Sequence, residues 1–500
     1  MIPKDLSLIL LLFFCIGVAK SQEGKNIEIL STDYLEYNIN SGTNAKKLIG
    51  NVHFQHENAQ MFCDSAYFYT EINKVDAFGN VSIHQGDTLH LYGKFFSYDG
   101  NTRTAKMQDN VKLIDKETTL TTNYLEYKIV EGIGYYVNGG NIINKENTLK
   151  SNHGSYYTKI KLFYFKDDVE VINPKYIIKS DTLQYNTQSR IAYFFGPTDI
   201  ISKDNFLHCE NGWYNTKTDI SEFRKKAYLT MPKRMLAGDS LYYDRRKGLG
   251  KAYGNVFIID SSQNTIIKGL KAFYIEKPEY ALITDSAHLI FFQNTDSLYL
   301  HADTLMSITV NDTLQQKEIK AYHKVKFYRF DIQGMADSAV FKTSDSTLYM
   351  YYNPVIWSEN NQIFATKIEL HLANNQINTA DFNDKCFIIA KEDSDKFSQV
   401  KGKNMKGYFK NNEIYKLAVS GNGQTIYYAK DKNKIIGVNR ANCSNIDVLF
   451  KKRKITKIAF LTQPDAVLYP LSKFPSEEKY LSDFKWYEEF RPLCPLDIFK

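Results

Sequence analysis

Residues 64–71 read D-S-A-Y-F-Y-T-E and residues 75–83 read V-D-A-F-G-N-V-S-I. The pattern returns as G-K-F-F-S-Y-D at 93–99 and A-K-M-Q-D-N-V-K-L-I-D at 105–115. Each copy has a polar residue, an aromatic-rich run, a Gly-Asn or Asp-Asn pair and a β-branched run. Asn80 and Asn110 stand 30 residues apart. A period of this length is typical of a stacked array, in which each repeat covers its neighbour.

The repeat continues in phase along most of the chain, with steps of 28 to 34 residues between its opening polar residues. These opening residues, the anchors, are Asp33, Asp64, Gly93, Asn123, His153, Asp181, Asn211, Asp239, Gly269, Asp303, Asp337 and Thr366. The residue pairs, which we call corners, are Gly50-Asn51, Gly79-Asn80, Asp109-Asn110, Gly140-Asn141, Asp167-Asp168, Gly254-Asn255, Asp285-Ser286, His323-Lys324 and Asn353-Pro354. So many anchors and corners in phase favour one long repetitive body. A chain of this length could otherwise hold about three or four ordinary domains.

Apolar residues occupy alternate positions in each repeat: two and four residues after the anchor, and again after the corner. Period two puts each such column on one face of a strand. The predicted inward-facing residues are Leu35, Tyr37, Val52, Phe54, Ala66, Phe68, Val81, Ile83, Val111, Leu113, Leu125, Tyr127, Val169, Val171, Leu183, Tyr185, Leu241, Tyr243, Val256 and Ile258. The positions between them are mixed and include Glu126 and Glu170. We therefore predict an all-β chain of stacked, ~30-residue, two-strand repeats whose two apolar walls face each other.

The N-terminus predicts an export signal. Lys4 precedes an apolar stretch at 6–18, and Ala19 and Ser21 supply small residues before a cut at Gln22, so residues 1–21 are predicted to be a signal peptide. The stretch has about 13 apolar residues, too few to cross a bilayer as a helix. Cys15 raises the alternative of a lipoprotein, but Phe14 occupies the place where that cleavage requires a small residue.

The predicted array covers residues 22–463. It is most regular at 28–290, has a longer polar loop at 293–318 and resumes at 319–450. Five of the 11 prolines fall within 464–495, so residues 464–500 are predicted to be a Pro-rich tail. Within it, Ser476 begins a short amphipathic helix with Tyr480, Leu481 and Phe484 at helical spacing. This helix would cap the open edge of the last strand, or else dock on a partner or membrane.

Charge and chemistry narrow the function classes. The formal net charge is +7, and two basic runs are candidate contacts for an anionic lipid headgroup, with a solvated rim of turns as the alternative. These runs are Arg224, Lys225, Lys226 and Arg245, Arg246, Lys247. Nucleic acid is not expected as a partner of an exported chain. No catalytic motif, nucleotide loop or metal-ligand cluster is present, and the anchor aspartates fit turn formers. We predict no enzyme, no metal and no cofactor.

The cysteines beyond the signal are odd in number and contain no CxxC pair. They are Cys63, Cys209, Cys386, Cys443 and Cys494. This argues against a disulfide framework and a metal site. A single disulfide between two of these cysteines remains an alternative in an exported chain. Cys494, near the end of the chain, is the candidate for a bond between chains.

The export signal, the [DGN]-x-[AL]-x-[YF] runs, the G-N-V-x-[IF] corners and the block D-I-Q-G-M-A-D-S-A-V-F at 331–341 resemble the OstA-like periplasmic domains of lipopolysaccharide transport. These are the LptA-type bridge proteins and the N-terminal domain of LptD. The resemblance is best over about residues 28–260 and 319–372. It implies an elongated, V-shaped open β-jelly roll, or β-taco, that carries lipid acyl chains between its walls. The chain is longer than a free bridge protein, and because the tail at 464–500 is short, the large C-terminal barrel of the translocon is not expected here.

The resemblance also implies a location and partners: the periplasm, lipopolysaccharide or a related anionic glycolipid, the outer-membrane translocon, and other β-taco proteins or a second copy joined edge to edge. Physical chemistry agrees with a carrier, since exposing a ~14-carbon acyl chain to water costs about 11 kcal/mol at about 0.8 kcal/mol per methylene. One alternative is a structural or adhesive β-solenoid whose core is filled by its own side chains. Another is a right-handed β-helix acting on polysaccharide, which requires three strands per coil.

Overall fold

The chain folds almost entirely into antiparallel hairpins. The computed structural model describes residues 27–37, 44–56, 58–87, 89–145, 147–293, 296–314, 316–374, 376–410, 413–431, 434–451 and 454–500. Helical segments within these ranges are 3-10 turns at Leu471–Lys473, Ser476–Glu478, Glu488–Phe490 and Pro495–Phe499. The predicted all-β class is confirmed. The predicted signal peptide and its cleavage site lie outside the described residues, and no helix in the described ranges has the length and apolarity needed to span a bilayer.

The described residues form two compact units. Unit 1 comprises residues up to Pro232 together with Ala237–Arg246, and unit 2 comprises Lys233–Leu236 and Lys247–Lys500. The strands up to the boundary are β1 (Glu28–Ser31), β2 (Tyr34–Tyr37), β3 (Ala45–His56), β4 (Ala59–Tyr69), β5 (Lys74–Gln85), β6 (Leu89–Asp99), β7 (Thr104–Asp115), β8 (Thr118–Lys128), β9 (Ile133–Tyr136), β10 (Gly140–Asn144), β11 (Asn147–Ser151), β12 (His153–Tyr157), β13 (Leu162–Asn173), β14 (Tyr176–Asn186), β15 (Ile191–Ser202), β16 (Phe206–Asn215), β17 (Ile220–Met231) and β18 (Arg234–Asp244). The continuity of a single array over 22–463 stays a prediction.

The strands of unit 2 follow the same hairpin order. They are β19 (Leu249–Asp260), β20 (Thr265–Ile275), β21 (Tyr280–Gln293), β22 (Asp296–Asn311), β23 (Gln316–Arg329), β24 (Ile332–Lys342), β25 (Thr347–Tyr351), β26 (Val355–Ser358), β27 (Asn361–Phe364), β28 (Lys367–Ala373), β29 (Gln376–Lys391), β30 (Phe397–Lys410), β31 (Glu413–Asp431), β32 (Lys434–Lys451), β33 (Lys454–Leu461) and β34 (Asp465–Pro470).

A two-residue bulge divides many of the long strands at the corner. In β3, Gly50 and Asn51 have φ angles of 78° and 45°, and the register with β4 shifts between Ile49 and Val52. Glycine and asparagine adopt this left-handed conformation most readily, which explains their use here. A bulge also bends the strand. The half-strands before and after each corner therefore belong to two different walls.

Most predicted corners have this backbone, but two are displaced. The left-handed residues are Asn138 and Gly139 rather than Gly140-Asn141, and Tyr352 and Asn353 rather than Asn353-Pro354. The second displacement follows from proline, whose ring fixes a negative φ angle.

The anchor residue of one strand forms hydrogen bonds with the corner of the next strand. One carboxylate oxygen of Asp64 accepts hydrogen bonds from the backbone N–H and the side-chain amide of Asn80, each at 3.0 Å. A Cβ atom at Gly79 would lie 2.2 Å from that oxygen, so the position requires glycine. The aspartate anchor and the Gly-Asn corner are thus one structural device.

Two predictions about the array are wrong. Most of the predicted loop at 293–318 is strand β22, which has 16 residues and pairs with both β21 and β23. The wider anchor spacing corresponds to longer strands rather than to a longer loop, because β22 is five residues longer than β4, which has 11. The array also extends past residue 463, because β34 pairs with β32.

The tail contains short 3-10 turns instead of the predicted amphipathic α-helix. Apart from the short-range bonds of these turns, its backbone groups bond to side chains of the sheet: the N–H of Leu481 donates to Gln399 and the N–H of Tyr487 donates to Gln362. These external partners replace the bonds that an α-helix would make. The tail therefore packs on the sheet as an extended segment.

Candidate functional site: the inner face of unit 1

The corners divide unit 1 into two half-sheets. Wall A contains the half-strands before each corner with their hairpin partners, and wall B contains the half-strands after it. The pairing places Ala66 opposite both Leu48 and Ala77 in wall A. In wall B it places Met61 opposite Phe54 and Ile83. Side chains from successive strands thus stand in line and form columns across each wall.

Two such columns run along the inner face of unit 1. The column in wall A is Leu48, Ala66, Ala77, Phe96, Met107, Leu125, Tyr136, Gly154, Phe165, Leu183, Phe194, Gly212 and Phe223. The column in wall B is Phe54, Met61, Ile83, Leu91, Leu113, Leu120, Ile142, Leu149, Val171, Ile178, Ile200, Leu207 and Leu229. Most of these side chains are buried, so the apolar inner face is continuous along the unit.

The structure places the predicted inward-facing residues on this face. Those that are buried are Val52, Phe54, Ala66, Val81, Val111, Leu113, Leu125, Val169, Val171, Leu183, Tyr185 and Leu241, with Val256 in unit 2. Those that are half-buried are Phe68, Ile83, Tyr127 and Tyr243, with Ile258 in unit 2. Leu35 and Tyr37 are exposed because their strand, β2, pairs only with β3 in the described part of the chain. That these residues line a lipid groove stays a prediction.

A third column, next to the corner in wall B, contains the predicted Val52, Val81, Val111 and Val169, but sequence reasoning missed its other members. It is built partly from small residues, namely Cys63, Gly93, Thr122, Gly140, Ser151, Ser180, Thr198 and Cys209. The walls come close here, since a Cβ atom at Gly93 would lie 2.6 Å from the sulfur of Met107 in wall A. A small residue directly before the anchor, as at Cys63, Thr122 and Ser180, was the available signal.

The inner cysteines act as small packing residues. Burial raises the pKa of Cys63 and of Cys209 to about 12, so both thiols stay protonated at neutral pH. The five cysteines among the described residues are free, and of these only Cys494 is exposed. No group of three or more metal-ligating side chains occurs in the described ranges.

An apolar cavity of about 120 Å³ separates the walls where β3 to β6 meet. Phe54, Met61 and Ile83 line it from wall B, and Val75 and Phe96 line it from wall A. Apolar side chains from both walls thus face a shared space at this end of unit 1.

Further along the unit, Tyr136 closes the space between the walls. Its hydroxyl lies 2.6 Å from the hydroxyl of Ser151 in wall B, and burial raises the pKa of Tyr136 to about 12. The ring fills a slot made by Gly140 and Gly154, where an added Cβ atom would lie 2.3 Å from it. Unit 1 is therefore open between its walls at one place and filled at another.

The two basic runs lie at different edges. Lys225 and Lys226 form the corner of β17, with φ angles of 57° and 54°, and Lys226 pairs with Glu210. Arg246, in the turn after β18, lies 3.5 Å from Asp219. Arg224 likewise pairs with its neighbour Glu222 at 2.8 Å. The structure does not gather the two runs into one site, and headgroup contact stays a prediction.

Glu126, predicted to face outward, is nonetheless buried. The Tyr124 hydroxyl donates a hydrogen bond to it, and Lys106 lies 3.7 Å away. It is therefore a poor example of a solvated outer position, unlike Glu170, whose side chain is about a third exposed.

A family model described as "OstA-like protein" matches residues 24–181 and 177–239, and the second stretch predicted to resemble the family, 319–372, lies outside the match. A search of curated proteins gave no match. One matching solved structure is that of LptH from Pseudomonas aeruginosa, the LptA homologous periplasmic component of the conserved lipopolysaccharide transport device. It is 13% identical, with a TM-score of 0.20, and the match covers 22% of this chain and 82% of that one. Residues 24–239 of the chain thus have the sequence features of the OstA-like family.

Proposed function

We propose that the protein is a periplasmic carrier that shields the acyl chains of lipopolysaccharide, or of a related anionic glycolipid, between walls A and B during transport to the outer membrane. The observation that carries the proposal is the apolar cavity between the two walls, at one end of uninterrupted inner columns. The match of residues 24–239 to the OstA-like family model supports the lipid class.

The size of the cavity sets a condition on binding. Ligand pockets hold about 300 Å³ or more, whereas this cavity holds about 120 Å³. Loading an acyl chain therefore requires walls A and B to move apart. Each wall side chain that loses a protein contact gains a lipid contact, so the apolar area kept from water changes little.

The headgroup and the partners follow from the same arrangement. A charged headgroup stays outside the apolar space because burying an unpaired charge is costly. Strand β2 offers an edge for addition of another β-taco domain, with Tyr34, Leu35 and Tyr37 each about half exposed. We infer assembly at this edge with a related protein, a second copy or the translocon.

Photocrosslinking of the full-length protein in cells tests the proposal. A photoreactive residue at Ile83 or Phe68, on the inner face, is expected to form adducts with lipid. The same residue at Ser82, the outward-facing neighbour of Ile83, is the matched control and is expected to form none. Absence of lipid adducts at Ile83, Phe68 and Val111 would contradict the carrier function.

The second candidate is a structural or adhesive β-array with a filled core. The bridge from Tyr136 to Ser151 favours it, since the walls are joined by the protein's own side chains there. Mass spectrometry of lipids that co-purify with the mature protein separates the two. A stoichiometric glycolipid supports the carrier, and a lipid-free protein supports the filled core.

A further inference from the structure

The segment 475–500, which we call the strap, crosses the outer face of wall B in unit 2. As in unit 1, walls A and B of unit 2 are the half-strands before and after each corner, together with their pairing partners. The corner of β29 is Asp384 and Lys385, with φ angles of 58° and 51°, and the register with β30 shifts there. The residue after it, Cys386, belongs to the inner core of the unit. The next residue, Phe387, belongs to a separate apolar cluster with Ile389 and with Leu481 of the strap. Neighbouring residues of a strand point to opposite faces, so the strap covers the outside of the wall.

Buried glutamines of the wall hold the main chain of the strap. The side-chain amide of Gln399 donates to the carbonyl of Lys479 at 2.9 Å and accepts from the N–H of Leu481 at 2.8 Å. Gln362 repeats this pattern with the carbonyl of Lys485 and the N–H of Tyr487, both at 2.7 Å. Each amide thus offers a donor and an acceptor to residues two apart, as a neighbouring strand would.

A third glutamine extends the row. Gln333 is buried and accepts a hydrogen bond from Arg491 Nε at 2.9 Å, while the same guanidinium donates to the carbonyl of Glu359. The three glutamines lie on β24, β27 and β30, which are separate hairpin arms of the wall. The strap therefore ties together strands that have no direct bond to each other.

Apolar and charged contacts complete the docking. The rings of Phe484 and Trp486 lie 5.4 and 5.2 Å from the ring of Phe397. Lys401 Nζ lies 2.8 Å from the carboxylate of Asp483. The strap itself holds only 3-10 turns, so it can leave the wall without breaking any ladder of the sheet.

We propose that the strap is a reversible clamp. Docked, it holds wall B of unit 2 as a rigid plate, because relative movement of the three glutamine-bearing strands would break its bonds. When the strap is undocked, the three glutamine-bearing strands can move relative to one another. The clamp acts on the sheet itself and does not depend on the identity of any ligand. In a carrier whose walls must part, it would decide which wall of unit 2 moves.

Hydrogen exchange with mass spectrometry on the full-length protein tests the clamp. In the native protein, the amides of 476–491 are expected to exchange faster than the amides of wall B, through openings of the strap that do not unfold the wall. The double variant Gln362→Leu, Gln399→Leu leaves buried backbone groups of the strap unpaired, and strap exchange is expected to rise about tenfold or more. Exchange in the wall segments 397–401 and 424–428 is expected to rise with it, while unit 1 stays unchanged.

Two controls keep the test decisive. Gln184→Leu changes an outward glutamine of unit 1 and is expected to leave strap and wall exchange unaltered. Asp483→Lys weakens docking from the surface without altering the wall interior, so it reports on the clamp even if the double variant folds poorly. A strap that exchanges only together with the core of wall B would overturn the proposal. So would a strap that loosens while the wall stays as protected as before.

Discussion

The two units bury many of their aromatic side chains on opposite faces. In unit 1, Phe165, Phe194 and Phe223 stand in the inner column of wall A. The corresponding column of unit 2 includes Ala321 and Ala339. Phe387, Phe397 and Tyr428 of unit 2, by contrast, lie on the outer face of its wall B beneath the strap, while Phe327 and Phe382 remain in the inner core. One repeat thus supports two ways of stabilising a wall, one from inside the gap and one from outside it.

The difference has a physical consequence. Aromatic side chains bury the largest apolar areas and dominate packing energy. Where they fill the gap, the walls stabilise each other, and parting them is costly unless a lipid replaces the lost contacts. Where they lie beneath a strap, the wall keeps that energy while its inner face remains lined by smaller side chains. In unit 2, the stability of wall B therefore does not depend on how closely the two walls approach each other across the gap.

The largest effect is expected from a charge on the inner face of unit 1. Val169→Asp should lower the free energy of unfolding of unit 1 by about 3–5 kcal/mol, because the carboxylate would be buried without a partner. The matched outer change, Glu170→Gln, should cost less than about 0.5 kcal/mol. Urea unfolding followed by Trp213, which lies in unit 1, measures both. Similar costs for the two variants would remove the assignment of inner and outer faces.

A smaller effect is expected from enlarging a small inner residue of unit 2. Ala339→Leu should lower its free energy of unfolding by about 1–3 kcal/mol if the gap is tightly packed. Val340→Leu, on the opposite face of the same strand, is the control. Fluorescence of Trp357 follows unfolding of unit 2. A stable Ala339→Leu protein would instead show that this gap widens easily, which would sharpen the contrast between the two units.

Sequence patterns predicted the repeat but not the strap, and the reason is the range of the interactions. Corners such as Gly79-Asn80 and their anchor Asp64 are set by local backbone geometry and by period two, which a sequence shows directly. The strap depends on pairings between residues about 80 or 125 positions apart, such as Leu481 with Gln399 and Tyr487 with Gln362. A buried glutamine and a solvated one look the same in a single sequence. The spacing of Tyr480 and Phe484 therefore suggested a helix.

The hydrogen bonds between anchor and corner residues allow a finer comparison between the units. Asp64→Ala removes two hydrogen bonds to Asn80 and should destabilise unit 1 by about 1 kcal/mol, near the middle of the range for hydrogen bonds. In unit 2, the anchor Asp337 lies 3.3 Å from the corner residue His323. Asp337→Ala should have an effect of similar size if the device is shared. Thermal unfolding of each variant measures this, with Asp87→Ala in an exposed turn as the control. A neutral Asp64→Ala would show that the glycine and asparagine alone hold the corner.

The smallest effect is a pH dependence confined to the strap. Lys479, 2.9 Å away, and Lys396 hold the pKa of Asp395 down at about 2. A depressed carboxyl pKa stabilises the docked state above the ordinary value of 3.8, and this contribution is lost as the pH falls through about 2. Acrylamide quenching of Trp486 should therefore be constant from pH 7 to about pH 4 and rise below it. The rise should be small, because a single exposed ion pair contributes little to stability. Asp395→Asn should flatten that rise. An equal rise for Trp213 in unit 1 would mean that acid unfolds the whole protein, and the strap would then have no separate opening.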